Sequence, residues 1–243
     1  MKDQHKVSIS LIVLIFCLVT YNIKLVVVKE TPLNSLHAVY INLDTRVDRN
    51  KLILNELSNF SLNFTRFSAE RSQNPFNESV NAKVVGAWGC LKSHIGVIKI
   101  AKKLGKKYTL VVEDDFSFVV DKYHFYNKLE QLFKIKFDVC LLAYNTNNLI
   151  KTKYSFLYKV VDAQTASGYI ISSHYYNKFL LLLEDSLVKL ENSPNLFGES
   201  NYAVDQAWKS LQIVDNWYSF RPRIGIQRKG FSDIENRTIY YGV

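Results

Sequence analysis

Tyr108-Thr-Leu-Val-Val-Glu113-Asp114-Asp115-Phe116 is an apolar run of strand length that ends abruptly in three acids. Strands that are apolar on both faces belong to sheets covered on both sides. In open α/β sheets the crevice outside the carboxyl ends of the strands is where ligands bind. Alternate residues of an extended chain point the same way, so Glu113 and Asp115 are expected to address one point while Asp114 faces elsewhere. Two hard oxygen ligands on one side suit Mg²⁺ or Mn²⁺, with the remaining positions open to water and diphosphate oxygens. The plainer reading is a solvated acidic turn. Three adjacent acids in a chain of net charge +9 nevertheless need compensation, and a divalent cation supplies it.

Outward from this strand the pattern alternates between strand and helix. His37 to Leu43 is an apolar run with a polar tip, and Asp44 or Thr45 can cap a following helix with Leu52, Ile53, Leu57 and Phe60 on its apolar face. Phe64 to Ala69 predicts a second strand, and residues 70–83 a loop. Leu91, Ile95, Ile98 and Ala101 predict a helix over Ala87 to Leu104 that Gly105 stops. After the acidic strand come a helix over Asp121 to Ile135, a strand over Phe137 to Ala143, and one or two strands within Lys159 to Ser172. Helices follow over Tyr175 to Leu190 and Val204 to Leu211. Strands alternating with helices predict an α/β domain with a largely parallel sheet.

The N-terminus differs in kind. Val7 to Ile23 carries no charge, Leu25 to Val28 extends the run past Lys24, and Lys2 and Lys6 precede it. That pattern fits a signal-anchor, since Tyr21 to Lys24 does not resemble a small-residue cleavage site. The expected organisation is a short tail (1–6), a transmembrane helix (7–28), a linker (29–36) and one domain (37–243), with the domain in a lumen. Four sequons, at Asn59, Asn63, Asn77 and Asn236, agree with that topology.

The chain has 243 residues, 48% of them hydrophobic and 14% aromatic, which excludes global disorder. Nine Gly and four Pro exclude collagen-like and low-complexity readings. Three cysteines are too few for a disulfide scaffold, and no CxxC pair exists. Cys90 and Cys140 are either a lumenal disulfide or two buried thiols. The basic balance fits an anionic partner. Lys102, Lys103, Lys106 and Lys107 fit a solvated helix end better than a nucleic-acid patch.

Four motifs occur in order: Ile41-Asn42-Leu43-Asp44-Thr45-Arg46-Val47-Asp48-Arg49, Gly89-Cys90-Leu-Lys-Ser93-His94, Glu113-Asp114-Asp115, and Ala166-Ser167-Gly168-Tyr169. Together they resemble glycosyltransferase family 25, the group of lipooligosaccharide sugar transferases and collagen hydroxylysine galactosyltransferases. Thr45 departs from the Arg usual in the opening motif, and Ala87 and Trp88 depart from what precedes Gly-Cys there. The resemblance implies an A-type glycosyltransferase fold (Rossmann-like, mostly parallel sheet). It also implies a nucleoside diphosphate sugar donor, Mn²⁺ or Mg²⁺, and a hydroxyl of a glycan or glycoprotein as acceptor, with inversion. It implies Glu113 and Asp115 as metal ligands, and Asn42, Asp44, Arg46, Arg49, Ser93 and Gly168 near the donor. Asp205 is the candidate general base and His94 a further catalytic candidate.

Each of these residues has a plainer role beside it. His94 can be a satisfied core histidine, and Asp205 a carboxylate placed by a helix N-terminus. Arg46 and Arg49 can pair with Asp44 and Asp48 rather than phosphates. Trp88 and Trp208 can be packing residues rather than sugar platforms. A catalytically inactive glycan-binding protein on the same fold and a metal-dependent phosphoesterase are the competing functions.

Overall fold

The computed structural model describes residues 32–69, 75–76, 79–146, 148–194, 202–232 and 237–240. The expected transmembrane segment (7–28), the tail before it and the sequon asparagines Asn77 and Asn236 lie outside the described residues. The linker expected to reach residue 36 ends earlier: Pro32–Ser35 is a helical turn and the first strand begins at Leu36.

Chain order begins β1 (Leu36–Asn42), α1 (Val47–Asn59), β2 (Phe64–Ser68), α2 (Ala82–Leu104), β3 (Tyr108–Glu113), β4 (Phe116–Phe118) and α3 (Lys122–Leu132). It continues with β5 (Val139–Leu141), β6 (Leu149–Lys151), β7 (Leu157–Val160), β8 (Gly168–Ser172) and α4 (Tyr176–Asn192). The last elements are α5 (Val204–Ala207), α6 (Lys209–Val214), β9 (Trp217–Phe220), β10 (Gly225–Gln227), β11 (Gly230–Ser232) and β12 (Arg237–Ile239).

Eight strands form one sheet in the order β2-β1-β3-β8-β5-β9-β7-β6. β1 pairs parallel with β2 and β3, and β5 with β9; the other neighbours are antiparallel. β7 and β8 thus run against the other six. The common direction was legible; the reversal of β8 in mid-sheet was not. All five of its residues are buried, so its sequence reads like that of a parallel strand.

Period-two alternation divides the core between the two sheet faces. Val39, Ile41, Val111, Tyr169 and Ile171 pack with α2 and α4 on one face. Ala38, Tyr40, Leu110, Val112 and Ile170 pack with Ile53 and Leu57 of α1 and Phe125 and Leu129 of α3 on the other. The result is a three-layer α/β/α arrangement. Leu52, expected on the apolar face of α1, is 51% exposed. One residue is a 100° rotation on a helix, which turns Leu52 away from the stripe that carries Ile53 and Leu57.

Helix ends follow local chemistry. Asn81 caps α2 by accepting from Lys83 N, so that helix starts five residues before the expected Ala87. Gly105 closes it in the left-handed conformation at φ 64°. The N-cap position of α1 is Arg46, not the expected Asp44 or Thr45, and its side chain makes no cap hydrogen bond. The Asp44 carboxylate instead accepts from Arg66 Nη2 (2.6 Å) and Ser68 Oγ (2.9 Å) on β2. The helix expected over Val204 to Leu211 is two short ones meeting at the buried Trp208, whose Nε1 donates to Ala163 O at 2.8 Å.

Candidate active site

A cleft of about 250 Å³ opens where β1 and β3 end, walled by the first half of α2 and by the β10 and β11 segments. Ile41, Leu43, Ala69 and Val85 give it an apolar side, and Gly86 and Gly89 on α2 keep that helix face flat. Its polar side gathers Asn42, Arg49, His94, the three acids and Gln227. A concave, largely apolar site with a few convergent polar groups is the ordinary form of a small-molecule site.

Alternation along β3 aims Glu113 at α2, because it shares the face of Val111, which packs with that helix. Glu113 Oε1 lies 3.3 Å from His94 Nε2 and 3.8 Å from Cys90 Sγ. His94 is fully buried, and its Nδ1 lies 2.9 Å from the Tyr169 hydroxyl. It is a buried core histidine that also lines the cleft. Burial and the charge of Glu113 push the Cys90 thiol well up.

The strand ends at Glu113, and Asp114 and Asp115 form a turn into β4. Alternation therefore stops there, and Asp114 does not face elsewhere as expected. It lines the same cleft, accepting from Asn42 Nδ2 (2.8 Å) and Arg49 Nη1 (2.8 Å). Asp115 Oδ2 accepts from Arg49 Nη1 (3.2 Å) and Gln227 Nε2 (3.1 Å). Asp115 Oδ1 is buried and has no hydrogen-bond partner among the described residues. Burial, then the charge of Glu113, raises the Asp115 carboxyl to about 7. An orphaned carboxylate oxygen beside a second acid, both on the cleft wall, fits a hard divalent cation.

The structure brings together Asn42, Arg49, Ser93, His94, Glu113 and Asp115 on the cleft wall. Four other expected residues stand off it. Asp44 is exposed and paired with Arg66. Arg46 pairs with Asp48 at 3.1 Å and donates to Phe231 O at 3.3 Å. Gly168 opens β8, and a Cβ built on it would meet the Phe116 ring at 2.5 Å, so the glycine serves close packing. Asp205 is not among the cleft-lining residues; it accepts from Thr165 N at 3.0 Å, and burial raises its carboxyl. Thr165, whose N–H makes that contact, adopts a left-handed φ of 81°.

Several plainer alternatives hold. Cys90 and Cys140 are both free thiols. Trp208 is fully buried, and Trp88 packs with its Nε1 donating to Glu191 Oε1. Lys102 and Lys103 sit in the exposed last turn of α2. Asn59 and Asn63 are exposed, as sequon asparagines must be.

The C-terminal segment carries what sequence reasoning missed. Gln227 holds Asp115, Arg228 N donates to Asp115 O at 2.7 Å, and Arg49 Nη2 donates to Phe231 O at 2.7 Å. Arg66 on β2 clamps Asn42 Oδ1 from behind at 3.0 Å. No spacing signals a contact between positions 112 apart, and Gln227 has no charge to draw attention.

No family model matches the chain, and no curated protein matches it. Among solved structures it is similar to a glycosyltransferase involved in glycosylation of the major capsid of PBCV-1, at 10% identity and a TM-score of 0.45, covering 83% of this chain and 96% of that one. It is similar to A197 from STIV at 10% identity and 0.44, covering 76% and 80%. The glycosyltransferase GlyE of Streptococcus pneumoniae TIGR4 matches at 9% and 0.40, covering 75% and 44%. Likenesses at this level assign neither a family nor an activity.

Proposed function

We propose that the chain transfers a sugar from a nucleoside diphosphate donor to a hydroxyl of a glycan or glycoprotein, with inversion. One observation carries the reading. Glu113, Asp114 and Asp115 converge at the carboxyl end of β3 on one wall of a cleft whose other wall is apolar. An apolar slot beside a charge-demanding centre matches a nucleoside linked to a diphosphate. The family 25 resemblance of the four motifs points the same way.

Glu113 and Asp115 would hold Mn²⁺ or Mg²⁺. A cation bound there offsets the charge that grows on the leaving diphosphate. Arg49 keeps Asp114 and Asp115 in place and is committed to them rather than to phosphate. Asn42, itself fixed by Arg66, orients Asp114 through Nδ2. His94 positions Glu113. Val85, Ala69 and Leu43 form the apolar end of the cleft. Inversion requires a base for the acceptor hydroxyl. Asp205 is proposed for it because its carboxyl is raised and its charge reaches Glu113. Asp205 does not line the cleft, so the role needs an acceptor hydroxyl that approaches from the Thr165 side, and Asp205→Asn tests it. A fall in kcat with the donor KM intact supports it, and an unchanged kcat removes it.

The deciding experiment incubates the full chain with each nucleotide sugar and Mn²⁺ or Mg²⁺ and measures released nucleoside diphosphate. Release from one donor, abolished by EDTA, is expected. Binding of nucleoside diphosphate without turnover of any donor favours the inactive glycan-binding alternative. Release of inorganic phosphate from simple esters without a sugar favours the phosphoesterase.

A further inference from the structure

We infer that Cys90, His94 and Glu113 form a site for one borderline-soft divalent cation of the zinc type, open on its fourth side to the cleft. Cys90 and His94 are four residues apart on α2 and so share a helix face, with Glu113 opposite at the end of β3. Their donor atoms all lie within 4.8 Å of one another.

The spacing is that of ligands around an ion. Tetrahedral zinc, with bonds of about 2.3 Å to sulfur and about 2.0–2.1 Å to nitrogen and oxygen, separates nitrogen from oxygen by about 3.3 Å and sulfur from oxygen by about 3.6 Å. Here His94 Nε2 and Glu113 Oε1 are 3.3 Å apart, and Cys90 Sγ and Glu113 Oε1 are 3.8 Å apart. The sulfur and nitrogen lie within 4.8 Å of each other, so a movement of about 1.2 Å at most brings them to about 3.6 Å.

The surroundings support the geometry. Histidines that bind metal give their second ring N–H to a fixed partner, which sets the tautomer and the ring plane. The buried Tyr169 hydroxyl, 2.9 Å from His94 Nδ1, is such a partner, and it leaves the Nε2 lone pair aimed at Glu113 and Cys90. All three ligands line the cleft, so water or a substrate oxygen has the fourth position. Thiolate and imidazole prefer zinc to magnesium or manganese. Asp115 is not part of this group: Glu113 meets Cys90 and His94 through Oε1, which leaves Oε2 for a cation shared with Asp115, and the site needs no sugar donor to be occupied.

The test titrates the full, reduced chain with Co²⁺ alone and follows the sulfur-to-cobalt charge-transfer absorption, then displaces it with Zn²⁺. A band that saturates near one equivalent and is removed by Zn²⁺ is expected. Cys90→Ser should abolish it and weaken Zn²⁺ binding by roughly tenfold or more. Asp115→Asn should keep it. A wild-type chain with no sulfur band overturns the inference, as does a band that survives Cys90→Ser. Cobalt binding lost in Asp115→Asn but kept in Cys90→Ser also overturns it, while leaving the sugar-transfer reading standing. Should Cys90→Ser fail to fold, alkylation of Cys90 in the wild-type chain gives the second reading. Zn²⁺ should slow it, and an unchanged rate overturns the site. A sulfur band in a chain that turns over no donor leaves this site intact and removes the transferase reading.

Discussion

The Arg49 guanidinium lies 2.8 Å from Asp114 Oδ1, joining the first turn of α1 to the acidic turn across 65 positions of sequence. The same Nη1 reaches Asp115 Oδ2, and Nη2 takes the carbonyl of Phe231. One side chain thus ties the opening motif, the acidic motif and the C-terminal segment together. Its pair with Asp114 is mostly buried, with side chains 15% and 9% exposed. Removing one partner of such a pair strands the other charge. Arg49→Met should cost about 3 kcal/mol by chemical denaturation. A loss within the surface-substitution range of about 0.5 kcal/mol would refute the tie.

Asp115 is the acid whose removal should separate function from stability. Its Oδ1 has no partner among the described residues, and its ionised form is disfavoured by burial and by Glu113. Asp115→Asn removes that charge at nearly the same volume. It should leave the melting temperature equal or higher while abolishing release of nucleoside diphosphate. An unfolded variant, or one with wild-type turnover, contradicts this assignment.

Gly168 distinguishes packing from donor contact. Its missing Cβ makes room for the Phe116 ring, and it is not on the cleft wall. Gly168→Ala should cost about 1–3 kcal/mol of stability, as overpacking does. The donor KM of the folded fraction should be unchanged. A raised KM at unaltered stability would place Gly168 at the donor after all.

Acid sensitivity should trace to Asp215, at the opposite end of the sheet. Burial by itself would raise this carboxyl, but hydrogen bonds from Lys178 Nζ and the Tyr175 hydroxyl, both 2.7 Å, outweigh it, and the net shift is downward from 3.8. A depressed carboxyl stabilises above its unfolded value and loses that contribution as pH falls through the folded one. Asp215→Asn should therefore melt below wild type at about pH 6, and the two curves should approach each other as pH falls below the ordinary carboxylate value of about 3.9. A gap that stays constant with pH assigns the loss to packing instead.

Much of the fold was legible because its signals are local. Leu110, Val111 and Val112 announce a strand by apolarity, Gly105 stops α2 by capping chemistry, and Ile53 and Leu57 mark the inner face of α1; the Asn81 cap that starts α2 five residues early was not read. β4, β6 and β10–β12 are strands of three residues each and too short for any periodicity to register. Asp114 was misplaced because alternation was extended past the last residue of β3, where the chain turns.

The amino-acid order alone determined that a strand delivers three acids to its carboxyl end, that an α/β alternation surrounds it, and that Cys90 and His94 share one helix face. Those features depend on neighbours within a few residues, where φ, ψ and side-chain spacing are set. The tertiary structure decided that Glu113 meets Cys90 and His94, that Arg49 and Gln227 converge on Asp115, and that β8 runs backwards between β3 and β5. Backbone hydrogen bonds pair strands in either direction with any side chains, and contacts between distant segments follow from chain closure, which no local pattern encodes.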